Sequence, residues 1–467
     1  MTAHNHPTIL VLFGATGDLA SRKLLPALFD LYRAQSLPER FLIIAAARRE
    51  QSVVEYQESV RELLAAPTRD PAHVRDFVTH VTYVSGDFIE AATYKRIHHA
   101  IHQYNETIGQ CSNVLYYLAV PPAVYGTMFT MLAKSNSLDI CRPEDNAWAR
   151  LLVEKPFGKD LATAQALEQQ LCEAFADEQV YRIDHYLAKT AIENILSLRF
   201  GNSLLGSTWS GQYIDQIDIE LYEDIDVADR GGFYDGIGAL RDVGQNHLLQ
   251  IIAYLLTEVF DSSDAHATRA ARAQVLASLQ VATDRPLVRG QYAGYREHER
   301  VATESETETF FCFTLESQLP AWQGVPITVA AGKALQETRQ SITVTFRPVE
   351  LAETGFVCAG DTHTNVLTIT LAPRETITLR LATRQNGHDR TLESHDYTLV
   401  NDTVRESGPD AYELVLLDCI RGEQNRFLSG AEVVAAWSLI TPLLADLQQT
   451  PLHHYAPGSD PATIGLS

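Results

Sequence analysis

Two kinds of hydrophobic pattern divide this chain. In its first part the apolar residues come in short unbroken runs, TILVLF at 8–13 and FLIIAAA at 41–47, the first closed by Gly14 and the second by Arg48. Unbroken runs are what strands buried on both faces require. Between the two, Leu24, Leu25, Leu28 and Leu31 recur at helical spacing. A strand, a helix and a strand in that order make a right-handed crossover, so the sheet is parallel. Further runs at 81–84, 114–120, 151–153 and 180–183, each followed by a helix-like stretch, extend it into a doubly wound sheet.

After residue 183 the pattern changes to strict alternation, in Ile342/Val344/Phe346, Leu367/Ile369/Leu371 and Ile377/Leu379/Leu381. Alternation predicts antiparallel strands with one covered face. Helical stretches flank them at 184–205, 236–256 and 410–446, and 258–308 is the least readable segment. The expected fold class is therefore α/β plus α+β. A Rossmann-like doubly wound parallel sheet occupies 1–183, and a domain built on a large, mainly antiparallel sheet occupies 184–467.

Composition narrows the function. The 467 residues, 45% of them hydrophobic, carry a formal charge of −22, which argues against a nucleic-acid partner. An anionic substrate then needs a local cluster of cations. The six cysteines, Cys111, Cys141, Cys172, Cys312, Cys358 and Cys419, are scattered without a CxxC pair, so buried reduced thiols and no structural metal are expected. Residues 1–7 hold no apolar leader core, and no run approaches about 18 uninterrupted apolar residues. The expectation is a cytoplasmic protein without a membrane partner.

Three strings carry candidate chemistry. Gly14-Ala15-Thr16-Gly17-Asp18-Leu19 follows the first strand and opens a helix, the geometry that sets backbone N–H groups against a pyrophosphate. Where an acidic residue would hold the ribose of NAD, the second strand ends in Arg48-Arg49, which favours a 2′-phosphate and hence NADP, with NAD a weaker alternative. Next, Arg182-Ile183-Asp184-His185-Tyr186-Leu187 ends a strand and is read as starting a helix, with His185 and Lys189 on one face as a phosphomonoester site. Third, on an otherwise apolar helix His247 lies in line with Val243 and Ile251 while Asp242 and Asn246 form a polar stripe on the neighbouring face, and an imidazole held by a carboxylate suits removal of a hydroxyl proton near neutral pH. Lys155, before Pro156 at a strand end, is held extended, with a cis bond possible.

Together these strings resemble the glucose-6-phosphate dehydrogenase family nearly end to end: GATGDLASRKLLPALFDLY at 14–32, EKPFGKDL at 154–161, RIDHYLAK at 182–189, GGFYDGIGALRDVGQNHLLQ at 231–250 and WQGVPITVAAGKAL at 322–335. The resemblance implies oxidation of D-glucose 6-phosphate at C1 to 6-phospho-D-glucono-1,5-lactone, with NADP⁺ accepting the hydride. It implies His247 as general base, oriented by Asp184. His185, Tyr186 and Lys189 would bind the 6-phosphate, and Lys155, Glu223, Asp242 and Lys333 the sugar hydroxyls. Gly14, Thr16, Gly17, Asp18, Leu19, Arg48, Tyr117, Ala119 and Lys155 would border the cofactor. The family associates through the face of its large sheet, so a homodimer or dimer of dimers is expected. Ala188 stands where glycine is common, and Arg339 is the candidate for a basic residue missing near Thr338. Two other readings compete: an NAD(P)-dependent oxidoreductase of an unphosphorylated sugar, of the glucose-fructose oxidoreductase type, and a non-catalytic NADPH-binding regulator.

Overall fold

The computed structural model describes every residue except 1–5, 136, 138–140, 262, 350–355, 359–363, 385–389, 400–409 and 466–467, and the side chains of 143, 357 and 358. Its contacts divide the chain into two compact units. One comprises 1–188, 262–269 and 408–434, the other 189–261, 270–407 and 435–467.

The first unit holds a seven-stranded sheet. Strands β1 (Thr8–Phe13), β2 (Phe41–Ala47), β3 (Val81–Ser85), β4 (Asn113–Leu118), β5 (Ala149–Val153) and β6 (Val180–Ile183) are mutually parallel in the spatial order β6-β5-β4-β1-β2-β3. A short strand, Phe427–Leu428, adds antiparallel to β6. All six residues of β1 and of β4 are buried, as their unbroken apolar runs require. The run read as 114–120 stops at Leu118, where the chain leaves the sheet. The order reverses between β1 and β4, and a doubly wound sheet opens a crevice at such a point, at the carboxyl ends of the strands.

The second unit holds an eleven-stranded sheet, mainly antiparallel, with Ile214–Tyr222 and Ile327–Gly332 as a parallel pair inside it. In Val366–Ala372 burial alternates residue by residue. Thr376–Arg384 departs from the expected single covered face: none of its residues is buried, and Leu381 is exposed. Its neighbour Thr391–Leu399 is equally open, with Tyr397 and Leu399 facing solvent. The segment 258–308 supplies helix Ala265–Ser278 and strands Leu279–Val281 and Val288–Tyr292.

Several expectations need correction. No helix begins at Asp184: its Oδ1 accepts the Tyr186 N–H at 2.9 Å and its carbonyl accepts the Leu187 N–H at 3.0 Å. That local pairing makes a turn in place of a helix, and the helix proper is Thr190–Gly201, with Lys189 extended at its cap. His185 and Lys189 thus do not share a helical face. The helix expected at 410–446 is two, Ala411–Arg421 and Gly430–Gln449, parted by the αL residue Gly422 and the strand Phe427–Leu428. The second has the length and hydropathy of a membrane-crossing helix, but Trp437, Ile440, Leu443 and Leu447 are buried in the protein and Pro442 lies within it.

The cysteines also differ from expectation. Cys111, just before the start of β4, and Cys141, with Cα atoms 6.0 Å apart, form a disulfide, a pairing that spacing alone does not give. Cys172 is exposed, Cys312 half-buried and Cys419 buried; the side chain of Cys358 lies outside the described residues.

Candidate active site

In the first unit the turn after β1 forms a cavity of about 480 Å³ lined by Gly14, Thr16, Gly17, Arg48, Arg49, Asp87 and Ala119 among others. Gly14 has φ +83°, and a Cβ there would stand 2.2 Å from the Ala119 carbonyl oxygen. Only glycine permits this approach of the β1 and β4 ends. The Gly17 N–H donates to the Gly14 carbonyl at 2.8 Å, closing the turn, and the chain becomes helical from Asp18. Arg48 and Arg49 are exposed at the cavity edge, and the Tyr83 hydroxyl donates to the Arg49 carbonyl at 2.5 Å. The donor set fits a dinucleotide: a glycine turn for the pyrophosphate and two guanidiniums for a 2′-phosphate. Asp18 points to solvent beside Arg22 at 3.6 Å, and Leu19 packs on the hydrophobic core.

Tyr117 is fully buried and donates to Glu154 Oε1 at 2.5 Å. Burial, reinforced by the Glu154 charge, holds its phenol well above the ordinary range. Glu154 Oε2 lies 3.1 Å from His185 Nε2, and the His185 ring rests on Tyr412 with centroids 4.3 Å apart. One buried carboxylate thus links Tyr117 to His185. Lys155 follows it, half-buried, and the Lys155–Pro156 bond is cis. Asp184 is buried, and Tyr186 is half-buried.

In the second unit the chain from Leu240 to Leu248 is wound as a π-helix and continues as an α-helix from Leu249 to Leu256. The expected helix at 236–256 therefore begins later, after Gly236 and Gly238 at positive φ, and its first part does not follow the i,i+4 register. A Cβ on Gly244 would come within 3.0 Å of the Phe311 ring, so the helix lies close on strand Phe310–Ser317. His247 is buried, its N–H donating to Asn246 Oδ1 at 2.6 Å. The Asn246 amide in turn donates to the Asp242 carbonyl at 3.0 Å.

Both ends of this helix are held by residues that sequence reading did not single out. At the C-terminal end Arg199 donates to the carbonyls of Tyr254 and Thr257, Trp209 Nε1 to Leu255 at 2.8 Å, and Trp322 Nε1 to Leu256 at 3.0 Å. Four terminal carbonyls are satisfied in this way, as buried backbone groups require. Burial lowers the Arg199 guanidinium to about 9. At the N-terminal end Glu308 Oε1 accepts the Leu240 N–H at 3.1 Å. Nothing in the local sequence marks these partners, which lie far away in the chain.

Lys333 forms an ion pair with Glu223 and stands 5.8 Å from the Tyr234 ring centroid. Backbone bonds fix both, Glu223 N–H to the Gly332 carbonyl at 2.9 Å and Lys333 N–H to the Thr309 carbonyl at 3.0 Å. Burial, with the charges of Asp242 and Glu308, raises Tyr234 well above the ordinary phenol range. The second unit thus gathers Glu223, Lys333 and, through Tyr234, Asp242. Lys189 lies 3.5 Å from Gln340 Oε1. Arg339 is engaged by the carboxylates of Glu220 at 3.3 Å and Glu337 at 3.6 Å. Among the described residues no cluster of His, Cys, Asp and Glu has the make-up of a metal site.

The sequence matches the family model of the glucose-6-phosphate dehydrogenase NAD binding domain over residues 11–194 and that of the C-terminal domain over 196–464. The chain is 34% identical over 456 residues to glucose-6-phosphate 1-dehydrogenase 2 of Mycobacterium tuberculosis, covering 94% of this chain and 88% of that one. To the cytoplasmic isoform of glucose-6-phosphate 1-dehydrogenase from Solanum tuberosum it is 35% identical over 460 residues, or 96% and 88% of the two chains. The solved structure of a glucose-6-phosphate dehydrogenase in complex with its substrate glucose-6-phosphate superposes with a TM-score of 0.90 at 31% identity, covering 98% of this chain and 96% of that one.

Proposed function

Because this chain belongs to the glucose-6-phosphate dehydrogenase family, we propose that it oxidises C1 of D-glucose 6-phosphate to 6-phospho-D-glucono-1,5-lactone with NADP⁺, the entry step of the oxidative pentose phosphate pathway. The observation that carries this reading is the match of both family domains across the chain, with Asp184 and His247 intact within the motifs RIDHYL and QNHLLQ. NADP⁺, when bound, accepts the hydride that leaves C1. His247 takes the C1-hydroxyl proton as the hydride departs, so that C1–O becomes a carbonyl and atoms and charge balance. Asp184 orients the imidazole and stabilises the imidazolium. His185, Tyr186 and Lys189 bind the 6-phosphate, a local set of cations and donors on a chain of strongly negative charge. Lys155, Glu223, Asp242 and Lys333 hold the sugar hydroxyls.

On the cofactor side Gly14, Thr16, Gly17, Asp18 and Leu19 border the pyrophosphate, Arg48 takes the 2′-phosphate, and Tyr117, Ala119 and Lys155 complete the surroundings. Residues 1–183 carry the dinucleotide and 184–467 the sugar and the contacts between copies. The open face of strands Thr376–Arg384 and Thr391–Leu399, where Leu381, Tyr397 and Leu399 are exposed, is the surface for a second copy of this chain, giving a homodimer or a dimer of dimers. We place the protein in the cytoplasm, without nucleic-acid or membrane partners. An oxidoreductase of unphosphorylated sugars and a regulator without chemistry are not favoured, since neither has use for the phosphate set His185, Tyr186 and Lys189 together with an acid–base pair.

The test is absorbance of reduced nicotinamide with glucose 6-phosphate against unphosphorylated glucose, each with NADP⁺ and NAD⁺. Equal rates on the two sugars overturn the substrate, and no rate on either overturns the enzyme.

A further inference from the structure

The turn that leads into the histidine-bearing helix is clamped to one chain segment at two points. At its start Asp235 Oδ1 accepts hydrogen bonds from the Ser305 and Thr307 hydroxyls, and its Oδ2 accepts the Ala302 N–H at 3.1 Å. Burial alone would raise this carboxyl, but these bonds outweigh it and hold it below the usual range. At its end Glu308 acts twice: its backbone carbonyl accepts the Ala239 N–H at 3.0 Å and its side-chain Oε1 accepts the Leu240 N–H at 3.1 Å. The next residue, Thr309, accepts the Lys333 N–H at 3.0 Å and donates its own N–H to Gly290 at 2.8 Å. One pair of residues therefore joins the start of the helix carrying Asp242 and His247 to the backbone of Lys333. Gly238 is fitted to this carboxylate: at φ +77°, a Cβ there would stand 2.2 Å from Glu308 Oε1.

We propose that Glu308 is a positioning residue for the proton transfer, its carboxylate holding the Leu240 N–H and thereby fixing the winding of Leu240–Leu248 and the place of His247 on it. This rests on the reading of His247 as the general base. A helix N-terminus presents N–H groups without intrahelical partners and a partial positive charge, and an ionised carboxylate satisfies both. A neutral group in its place keeps the volume but loses the charge. Burial pushes Glu308 up to about 6, while the Leu240 N–H, its own N–H, Arg241 and Arg289 pull the other way. Tyr234 also senses its charge. The carboxylate therefore gains or loses its proton within a range in which turnover can be measured.

The experiment compares wild type with Glu308→Gln in steady-state assays from about pH 5 to 9, because the amide imitates the protonated carboxyl. The expected ratio of wild-type to variant kcat is about tenfold or more above pH 7, shrinking toward one below about pH 5.5, with KM for glucose 6-phosphate within about twofold. Titration of the base itself is common to both enzymes and cancels in this ratio. A ratio of one at every pH, or a ratio independent of pH, overturns the proposal; the second is what a merely structural glutamate gives. Should the variant not fold, hydrogen exchange of wild type decides: exchange in 240–248 relative to 249–256 rises as pH falls through about 6, and parallel behaviour of the two segments overturns the proposal. His247→Asn with wild-type turnover overturns the base assignment instead, and it does so independently of the Glu308 ratio.

Discussion

The cavity of the first unit and the histidine-bearing helix of the second are built from different materials. Around the cavity the decisive atoms belong to the backbone: Gly14 meets the Ala119 carbonyl, and the Gly17 N–H meets the Gly14 carbonyl. Along the helix they belong to side chains from remote segments, Arg199, Trp209 and Trp322 at one end and Glu308 at the other. A backbone site tolerates few replacements at its glycines and many elsewhere. A side-chain site distributes its demands over residues with no common sequence signal. The first site is therefore most sensitive at its glycines and the second at its distant side-chain partners, and substitutions separate the two.

The largest effect is expected on the side-chain site at its reacting group. His247→Asn lowers turnover by about 10² to 10⁴ with substrate affinity roughly intact, measured in steady state. Unchanged turnover removes His247 from the reaction.

On the backbone site Gly14→Ala sets a methyl carbon against the Ala119 oxygen at a positive φ. NADP⁺ affinity, read by calorimetry, falls by about 10²-fold or the protein unfolds. Gly109 has a similar φ of +67° but open space around its Cβ position, so Gly109→Ala costs only about 1 kcal/mol in thermal melting and leaves binding unchanged. Equal behaviour of the two variants breaks the claim that close approach, and not dihedral angle alone, makes Gly14 necessary. Arg48→Ala, a side-chain change at the backbone site, weakens NADP⁺ by about tenfold or more and NAD⁺ by less than about twofold. Equal losses for the two cofactors remove the 2′-phosphate assignment.

For stability the sign at Glu308 is opposite to that for activity. Its folded value is raised to about 6 from 4.5, so its contribution to folding is fully present below the unfolded value and is lost as pH rises through the folded one. Glu308→Gln is thus expected to be at least as stable as wild type at pH 8, by up to about 2 kcal/mol, with the advantage gone near pH 4.5. Denaturant titrations at the two pH values check this, and a variant less stable at pH 8 makes Glu308 a structural residue. The smallest effect on chemistry is expected at the open sheet face: Leu399→Glu shifts sedimentation toward the single chain while kcat stays within about twofold.

What the sequence determined by itself is the part governed by local physics. Unbroken apolar runs dictated buried parallel strands, alternation dictated the covered strand Val366–Ala372, and the glycine turn after β1 followed from backbone freedom at Gly14. The resemblance added the family and with it the candidate site residues. Tertiary structure decided what depends on distant partners. It rewound Leu240–Leu248 as a π-helix against Phe311, left the strand at 376–384 open on both faces, and joined Cys111 to Cys141. The polar stretch 303–309 lies at the end of the least readable segment and shows no role until the fold sets Glu308 against the Leu240 N–H. Periodicity reports which face a residue takes, and only the folded chain supplies the partner that meets it there.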